Sequence, residues 1–378
     1  MRRNHEHVRD KGYAPRFTHL AMMDASSIEE NLRGVESKIA VLSGKGGVGK
    51  STVAANLALA LAARGKQVGI LDADLHGPSI PKIMGVEDGK LLADGDKIKP
   101  VTLNGIKIAS MGFMLKDRDS PVIWKGPMKI GAIRDLLGSV AWGELDYLII
   151  DLPPGTGDEA LSIAQLIPDP KAAVMVTTPQ EIALLDVRKS LNFAKMLGLP
   201  IIGVLENMSG FVCPNCGHES HLFKRGGGEK VAREFGVPFL GRIPLDGEIV
   251  EAEDAGEPYL EKHGTRDSAK AFVEIVGRIE RIMNSLRLGT HVKRRAEEQI
   301  RPGTLKERVE LAISEAQPAL QRDGGGIELL GIDEEAGVVR VALQGACSGC
   351  SFAQTSTLKN IEALVKRYAP EIKKVVAG

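Results

Sequence analysis

Between Ser43 and Val53 the chain reads Gly44-Lys45-Gly46-Gly47-Val48-Gly49-Lys50-Ser51-Thr52, directly after the apolar run KIAVLS and before a stretch rich in alanine and leucine. This satisfies G-x-x-x-x-G-K-[ST], which constrains the fold strongly because the motif works only as a tight turn from a strand into a helix. Its glycines let successive backbone N–H groups turn inward around phosphate, and the helix that follows adds the partial positive charge of its N-terminus. In such a cradle, formed by Gly44 to Thr52, Lys50 reaches the β- and γ-phosphates of a nucleotide and Ser51 ligates Mg²⁺. The pattern predicts a buried strand before Gly44 and a helix over Lys50–Arg64, ended by Gly65.

From residue 38 onward KIAVLS, QVGILD, IKIASM, YLIID, AVMVTT and IIGVLEN recur as short apolar runs separated by helix-like segments. Runs that are apolar throughout belong to strands covered on both faces, so the fold class is α/β, a mostly parallel sheet flanked by helices. At 378 residues the chain exceeds the roughly 250–300 that one core usually holds. The expected organisation is a loose leader over 1–36 with at most one short helix, a main domain over 37–286, a charged linker over 287–303, and a small α+β module over 304–378. In that module a helical pattern, LKERVELAISEA, precedes the strand-like IELLGI and VVRVAL, a cysteine pair, and a second helix through SFAQTSTLKNIEALVKRY.

Charge and hydropathy exclude some partners. Forty-nine Lys+Arg balance 49 Asp+Glu, which leaves no global basic field for nucleic acid or an anionic membrane. No segment approaches the roughly 20 apolar residues of a membrane span. The N-terminal MRRNHEHVRD lacks the apolar stretch of a secretory signal, so the expected location is cytoplasmic.

Polar residues at strand ends supply the candidate chemistry. Asp151 ends YLIID, where a carboxylate facing the glycine loop can hold Mg²⁺ through water, and Asp72 and Asp74 end QVGILD in DADLHGPS. Either of the latter also suits a helix N-cap. Asn207 ends another strand in ENMSG, where a turn-forming role is the alternative to ligand contact. The chain's four cysteines fall in two C-x-x-C pairs, Cys213 with Cys216 and Cys347 with Cys350. That is too few for a disulfide scaffold, which leaves metal ligation or thiol redox chemistry. One pair supplies two ligands; the remainder come from a second copy, from the other pair, or, for Cys213 and Cys216, from His218 and His221.

Lys45 makes K-G-G-V-G-K-S-T resemble the deviant Walker A motif of the MinD/ParA and nitrogenase iron-protein superfamily of P-loop NTPases. The resemblance implies that Lys45 reaches the partner's phosphates across a nucleotide sandwich dimer and acts with Lys50 and Asp74 in catalysis. DADLHGPS and LPPGTGD are similar to its switch I and switch II, with Asp74 orienting the attacking water, Asp72 nearer the metal, and Asn207 contacting the base. Across residues 36–285, GKGGVGKST, DADLHGPSIP, DLPPGTGD, ENMSGFVCPNCG, Gly226–Gly228 and GVPFLGRIPLD together resemble the Mrp/ApbC group of iron–sulfur cluster carrier ATPases. That similarity implies a homodimer binding ATP and Mg²⁺, hydrolysing ATP slowly, and holding a [4Fe–4S] cluster between the Cys213/Cys216 pairs of two protomers. Its partners would be cluster scaffold or donor proteins and apo iron–sulfur proteins. The tail, through GACSGCSFAQTSTL, resembles the C-terminal domain of NifU, which implies a second cluster site at Cys347 and Cys350. Two rivals stay open: a MinD/ParA-like spatial-organisation ATPase with structural zinc, and nitrogenase-type electron transfer.

Overall fold

The computed structural model describes residues 25–377 apart from 75–76, 115–125, 156–157, 170, 214, 300–303, 323–324, 335, 346–357, 359–360, 363, 367 and 370. Two compact units divide at Arg287/Leu288. The first begins α1 (Ala25–Asn31), β1 (Val35–Ser43), α2 (Lys50–Ala63), β2 (Val68–Asp72), α3 (Ile80–Ile83), β3 (Leu92–Asp94), β4 (Lys97–Lys99), β5 (Val101–Leu103) and β6 (Ile106–Ser110). It continues with α4 (Gly126–Ser139), β7 (Leu145–Asp151), α5 (Asp158–Leu166), β8 (Lys171–Thr177), α6 (Glu181–Met196), β9 (Ile201–Glu206), β10 (Phe211–Val212) and β11 (Glu219–Ser220). Then come α7 (Gly227–Phe235), β12 (Phe239–Arg242), α8 (Gly247–Ala255), α9 (Tyr259–His263) and α10 (Asp267–Gln299), whose residues from Leu288 onward are counted with the second unit.

Eight strands form one sheet in the order β12-β9-β8-β1-β7-β2-β6-β5. Every neighbouring pair is parallel except β5 with β6 at the edge. Alternation along β1 sends Ile39 and Val41 into a core shared with α2 and α10, and Ala40 and Leu42 into a second core shared with α1, α4, α6 and α7. Helix α2 is apolar nearly all round, as a helix buried between layers must be, and ten of its residues are buried. Its run ends at Arg64, with Gly65 following at φ +80°.

Two segment boundaries depart from expectation. The leader is shorter than 1–36, because α1 and the start of β1 belong to the fold. Ile28 in α1 and Leu32 just past its end, joined by the Leu32 N–H to the Ile28 carbonyl at 3.0 Å, are 1% and 0% exposed, and the Asn31 amide donates to the Leu137 and Val140 carbonyls at 2.8 and 2.9 Å. Polar neighbours hide this two-residue apolar stripe in the sequence. The linker is likewise helical as far as Gln299, since its Lys, Arg and Glu residues are good helix formers and carry α10 onward.

In the second unit α11 (Leu305–Arg322) covers a three-stranded sheet of β13 (Gly325–Asp333), β14 (Val338–Gly345) and β15 (Lys374–Ala377). Val309, Ile313, Ile327, Val339, Val341 and Val375 contribute to its separate core. Strand β15 pairs parallel to β14, an addition that the short KVVA run did not announce. Cys347 and Cys350 lie outside the described residues.

Candidate functional site

The glycine loop leaves β1 at the centre of the sheet, where its neighbours β7 and β8 run to opposite sides, the crevice position at which open α/β sheets bind ligands. Gly47 and Gly49 stand at φ +76° and +80°. Open space surrounds Gly46 and Gly47, whereas a Cβ on Gly44 would lie 2.5 Å from the Asp186 carbonyl carbon of α6. Thus one side of the loop is packed on protein and the other is clear for phosphate. Lys45 is half-buried between them, and its carbonyl accepts from Ser43 Oγ at 3.0 Å.

Adjacent strand ends bring the polar residues together. Lys50 Nζ meets Asp151 Oδ1 at 2.5 Å, and Ser51 Oγ donates to Asp151 Oδ2 at 2.5 Å. Asp72 and Asp151 are paired in register on β2 and β7, and both are fully buried. Burial pushes both carboxyls upward; the charge of Asp151 adds to the rise at Asp72 and that of Asp74 to the rise at Asp151, while Lys50 opposes both. Asp72 accepts from Ser110 Oγ at 2.9 Å and from the Asp74 and Ile80 N–H groups. Asp74, 8% exposed, accepts from the Gly77 N–H at 3.3 Å. Gly155, at φ +89°, donates its N–H to the Ser43 carbonyl at 2.9 Å.

Asn207 lies on the far side of the loop. Its amide Nδ2 donates to the Val48 carbonyl at 3.0 Å, and its backbone N–H donates to Thr177. Immediately beyond it, β10 and β11 form a two-stranded hairpin whose tip carries the first cysteine pair. Cys213 N–H donates to the His218 carbonyl, and Gly217 N–H donates back to the Cys213 carbonyl. Cys213 is half-buried and Cys216 is exposed. Hydrogen bonds from the Asn215 and Cys216 N–H groups, and then from the Cys216 thiol, lower the pKa of the Cys213 thiol and so favour the thiolate. Among the described residues no three His, Cys, Asp or Glu side chains converge as a metal-ligand set.

Two carboxylates here escaped sequence reasoning. Glu253 of α8 accepts from Thr52 Oγ1 at 2.9 Å; its second oxygen is buried without a partner, and burial pushes its carboxyl up to about 7. It sits in an acidic run, EIVEAEDAGE, with no motif to single it out. Glu206 is fully buried beneath the cysteine hairpin. An acid ending the apolar run IIGVLE was its only signal.

A glycine loop on a parallel sheet, with a lysine and a serine at its helix start meeting the carboxylate that ends the neighbouring strand, defines a P-loop NTPase. The chain belongs to the ParA family of NUBPL iron-transfer P-loop NTPases, which matches residues 34–280, and residues 309–376 match the NifU-like domain. It is 56% identical over 264 residues to an iron-sulfur cluster carrier protein of Methanocaldococcus jannaschii, covering 69% of this chain and 91% of that one. Over 258 residues it is 47% identical to the cytosolic Fe-S cluster assembly factor CFD1 of Yarrowia lipolytica, covering 66% and 89%. Among solved structures, a nucleotide-binding protein of Archaeoglobus fulgidus in complex with ADP is 43% identical at a TM-score of 0.56, covering 63% of this chain and 93% of that one. The septum site-determining protein MinD of Pyrococcus horikoshii, complexed with Mg-ADP, is 25% identical at a TM-score of 0.50, covering 66% and 98%.

Proposed function

We propose that this protein is an ATP-dependent carrier that binds a [4Fe–4S] cluster as cargo and delivers it to apo-proteins, with slow ATP hydrolysis. The observation that carries the reading is the Cys213/Cys216 pair, half-buried and exposed, with one thiol biased toward thiolate, on the same continuous segment as Asn207 against the glycine loop. Relatives named for cluster carriage and assembly, and the iron-transfer family itself, support it.

The nucleotide half follows from charge. Gly44 to Thr52 wrap the phosphates, Lys50 exchanges Asp151 for the β- and γ-phosphates, and Asn207 turns from Val48 to the base. The oxygens of Ser51, Asp151 and Asp72 are hard donors in a buried acidic pocket, a set that fits Mg²⁺. When bound there, the ion offsets the charge of the phosphates. Asp74 orients the attacking water.

Cargo binding needs a second chain, because a cubane cluster takes four thiolates and each pair gives two. Lys45 then reaches the partner's phosphates. Exposed Ile182 and Leu185, on the α6 turn packed behind Gly44, supply apolar surface on that side. A cluster shared in this way leaves by stepwise exchange once a client offers its own thiolates. Cys347 and Cys350 in the NifU-like unit form a second cluster site, and scaffold or donor proteins fill the first.

Iron, acid-labile sulfide and zinc content with Mössbauer spectra on anaerobically reconstituted protein test this reading. Wild type is expected to hold about four iron and four sulfide per Cys213/Cys216 site shared by a dimer. The Cys213→Ser/Cys216→Ser variant is expected to lose that share and to fail in transfer to an apo-enzyme, whereas Cys347→Ser/Cys350→Ser retains it. Zinc alone after reconstitution, with no iron–sulfur signal, sinks the carrier reading and favours a switch ATPase with structural zinc.

A further inference from the structure

A buried carboxylate ties the two ends of the cysteine hairpin together, beside the backbone pairing of residues 209–211 with 243–245. Glu206 Oε1 accepts from Ser209 Oγ at 2.5 Å, on the segment entering the hairpin, and from the Gly226 N–H at 2.9 Å, on the segment leaving it. Oε2 accepts from the Gly228 N–H at 2.6 Å, and Arg242 Nε lies 3.4 Å from Oε1. Arg242 also binds Glu229 of α7, so the same helix is gripped twice. The start of α7 is closely packed: a Cβ on Gly227 would lie 2.5 Å from the Pro179 carbonyl oxygen, and one on Gly228 would lie 3.1 Å from both Glu206 Cβ and Thr177 Cγ2. The start of α7 is thereby pressed onto the strand ends with its free N–H groups aimed at one acid.

The next residue is Asn207, whose side chain turns the other way, to Val48 of the glycine loop. Successive side chains on an extended segment point to opposite faces, so one peptide unit carries both the loop contact and the hairpin's anchor. A rotation of that unit as Asn207 left Val48 for a ligand would displace the carboxylate that ties the two ends of the hairpin.

We propose that Glu206 is the positioning residue that couples nucleotide occupancy to the geometry of the Cys213/Cys216 pair, an inference that rests on the carrier reading for its purpose but not for its test. The acid acts through Ser209, Gly226 and Gly228 and touches neither nucleotide nor cluster. A glutamine retains the shape and loses the charge. It also turns an NH₂ group toward a backbone N–H or the Ser209 hydroxyl that the carboxylate accepted.

The test uses the full-length, iron-free chain carrying Cys347→Ser/Cys350→Ser, so that only Cys213 and Cys216 report. Iodoacetamide alkylation rates are measured with MgADP and with a non-hydrolysable ATP analogue. The parent is expected to show a ratio between the two states of about threefold or more, and Glu206→Gln a ratio near one, with fluorescent ADP affinity held within about threefold. A purely structural role would shift both rates together and leave the ratio intact. Ser209→Ala removes only the entering contact and is expected to lower the ratio partway, which decides the matter should Glu206→Gln fail to fold. An unchanged ratio in either folded variant, or no ratio in the parent, overturns the proposal. Failure of the carrier reading shows separately, as absence of cluster in reconstituted wild type.

Discussion

Gly49 meets two demands at once: its φ of +80° lies in the left-handed region, and a Cβ there would lie 2.2 Å from Asn207 Nδ2. Gly49→Ala is therefore expected to cost about 1–3 kcal/mol and to weaken ADP binding at least tenfold, read by thermal unfolding and by titration with fluorescent ADP. The motif required this glycine, but only the fold showed that Asn207 closes over it. Glu253 gives a pH-dependent prediction. Its carboxyl is raised to about 7 by burial, so its stabilising contribution is full below the ordinary carboxyl pKa and is lost as pH rises through about 7. Glu253→Gln removes that loss. Relative to wild type, the nucleotide-free variant is expected to gain about 2 kcal/mol between pH 5 and pH 8, measured by denaturant unfolding at each pH.

At the scale of elements, α8 to α10 are joined by one acid. Asp246 caps α8 through the Glu248 N–H and accepts from Tyr259, Ser268 and two nitrogens of Arg266 at 2.6–3.1 Å. Burial opposes its ionisation, yet the Arg266, Ser268 and Tyr259 hydrogen bonds outweigh that cost and hold it down at about 2. A depressed carboxyl stabilises the fold above its ordinary pKa, and the benefit disappears as pH falls through about 2. Discounted for the exposed Arg266, the coupling is worth about 1–2 kcal/mol. Asp246→Asn is expected to lose that amount at pH 7, with the gap from wild type closing between pH 4 and pH 2 in acid-unfolding curves. Strands β1, β2, β6, β7, β8 and β9 were legible because each is a continuous apolar run, whereas α1 was allowed only as an unplaced short helix, because two apolar residues among polar ones give little period. The β10–β11 hairpin was not legible either: two residues per strand carry no pattern, and its form depends on Glu206 and on backbone pairing to residues 243–245.

At the scale of the whole molecule, the proposed sandwich dimer makes Lys45 a contact between chains. Light scattering after size exclusion is expected to find wild type dimeric with a MgATP analogue, and Lys45→Ala monomeric though it still binds nucleotide. A dimer of Lys45→Ala at the same concentration would remove that role. The described residues include no helix long and apolar enough to cross a membrane.

The sequence by itself determined the glycine loop, the parallel α/β class, the charged strand ends and the two thiol pairs, because each is written in contiguous residues whose chemistry or period is local. Only the tertiary structure decided which of these meet. Asp151 reaches Lys50 and Ser51 through the pairing of β1 with β7, and Glu253 reaches Thr52 across 201 positions of chain. Glu206 gathers Ser209, Gly226 and Gly228 because α7 folds back on the end of β9. Burial turned ordinary acids into groups with altered protonation, and burial is a property of neighbours brought in from distant sequence, which no local pattern encodes.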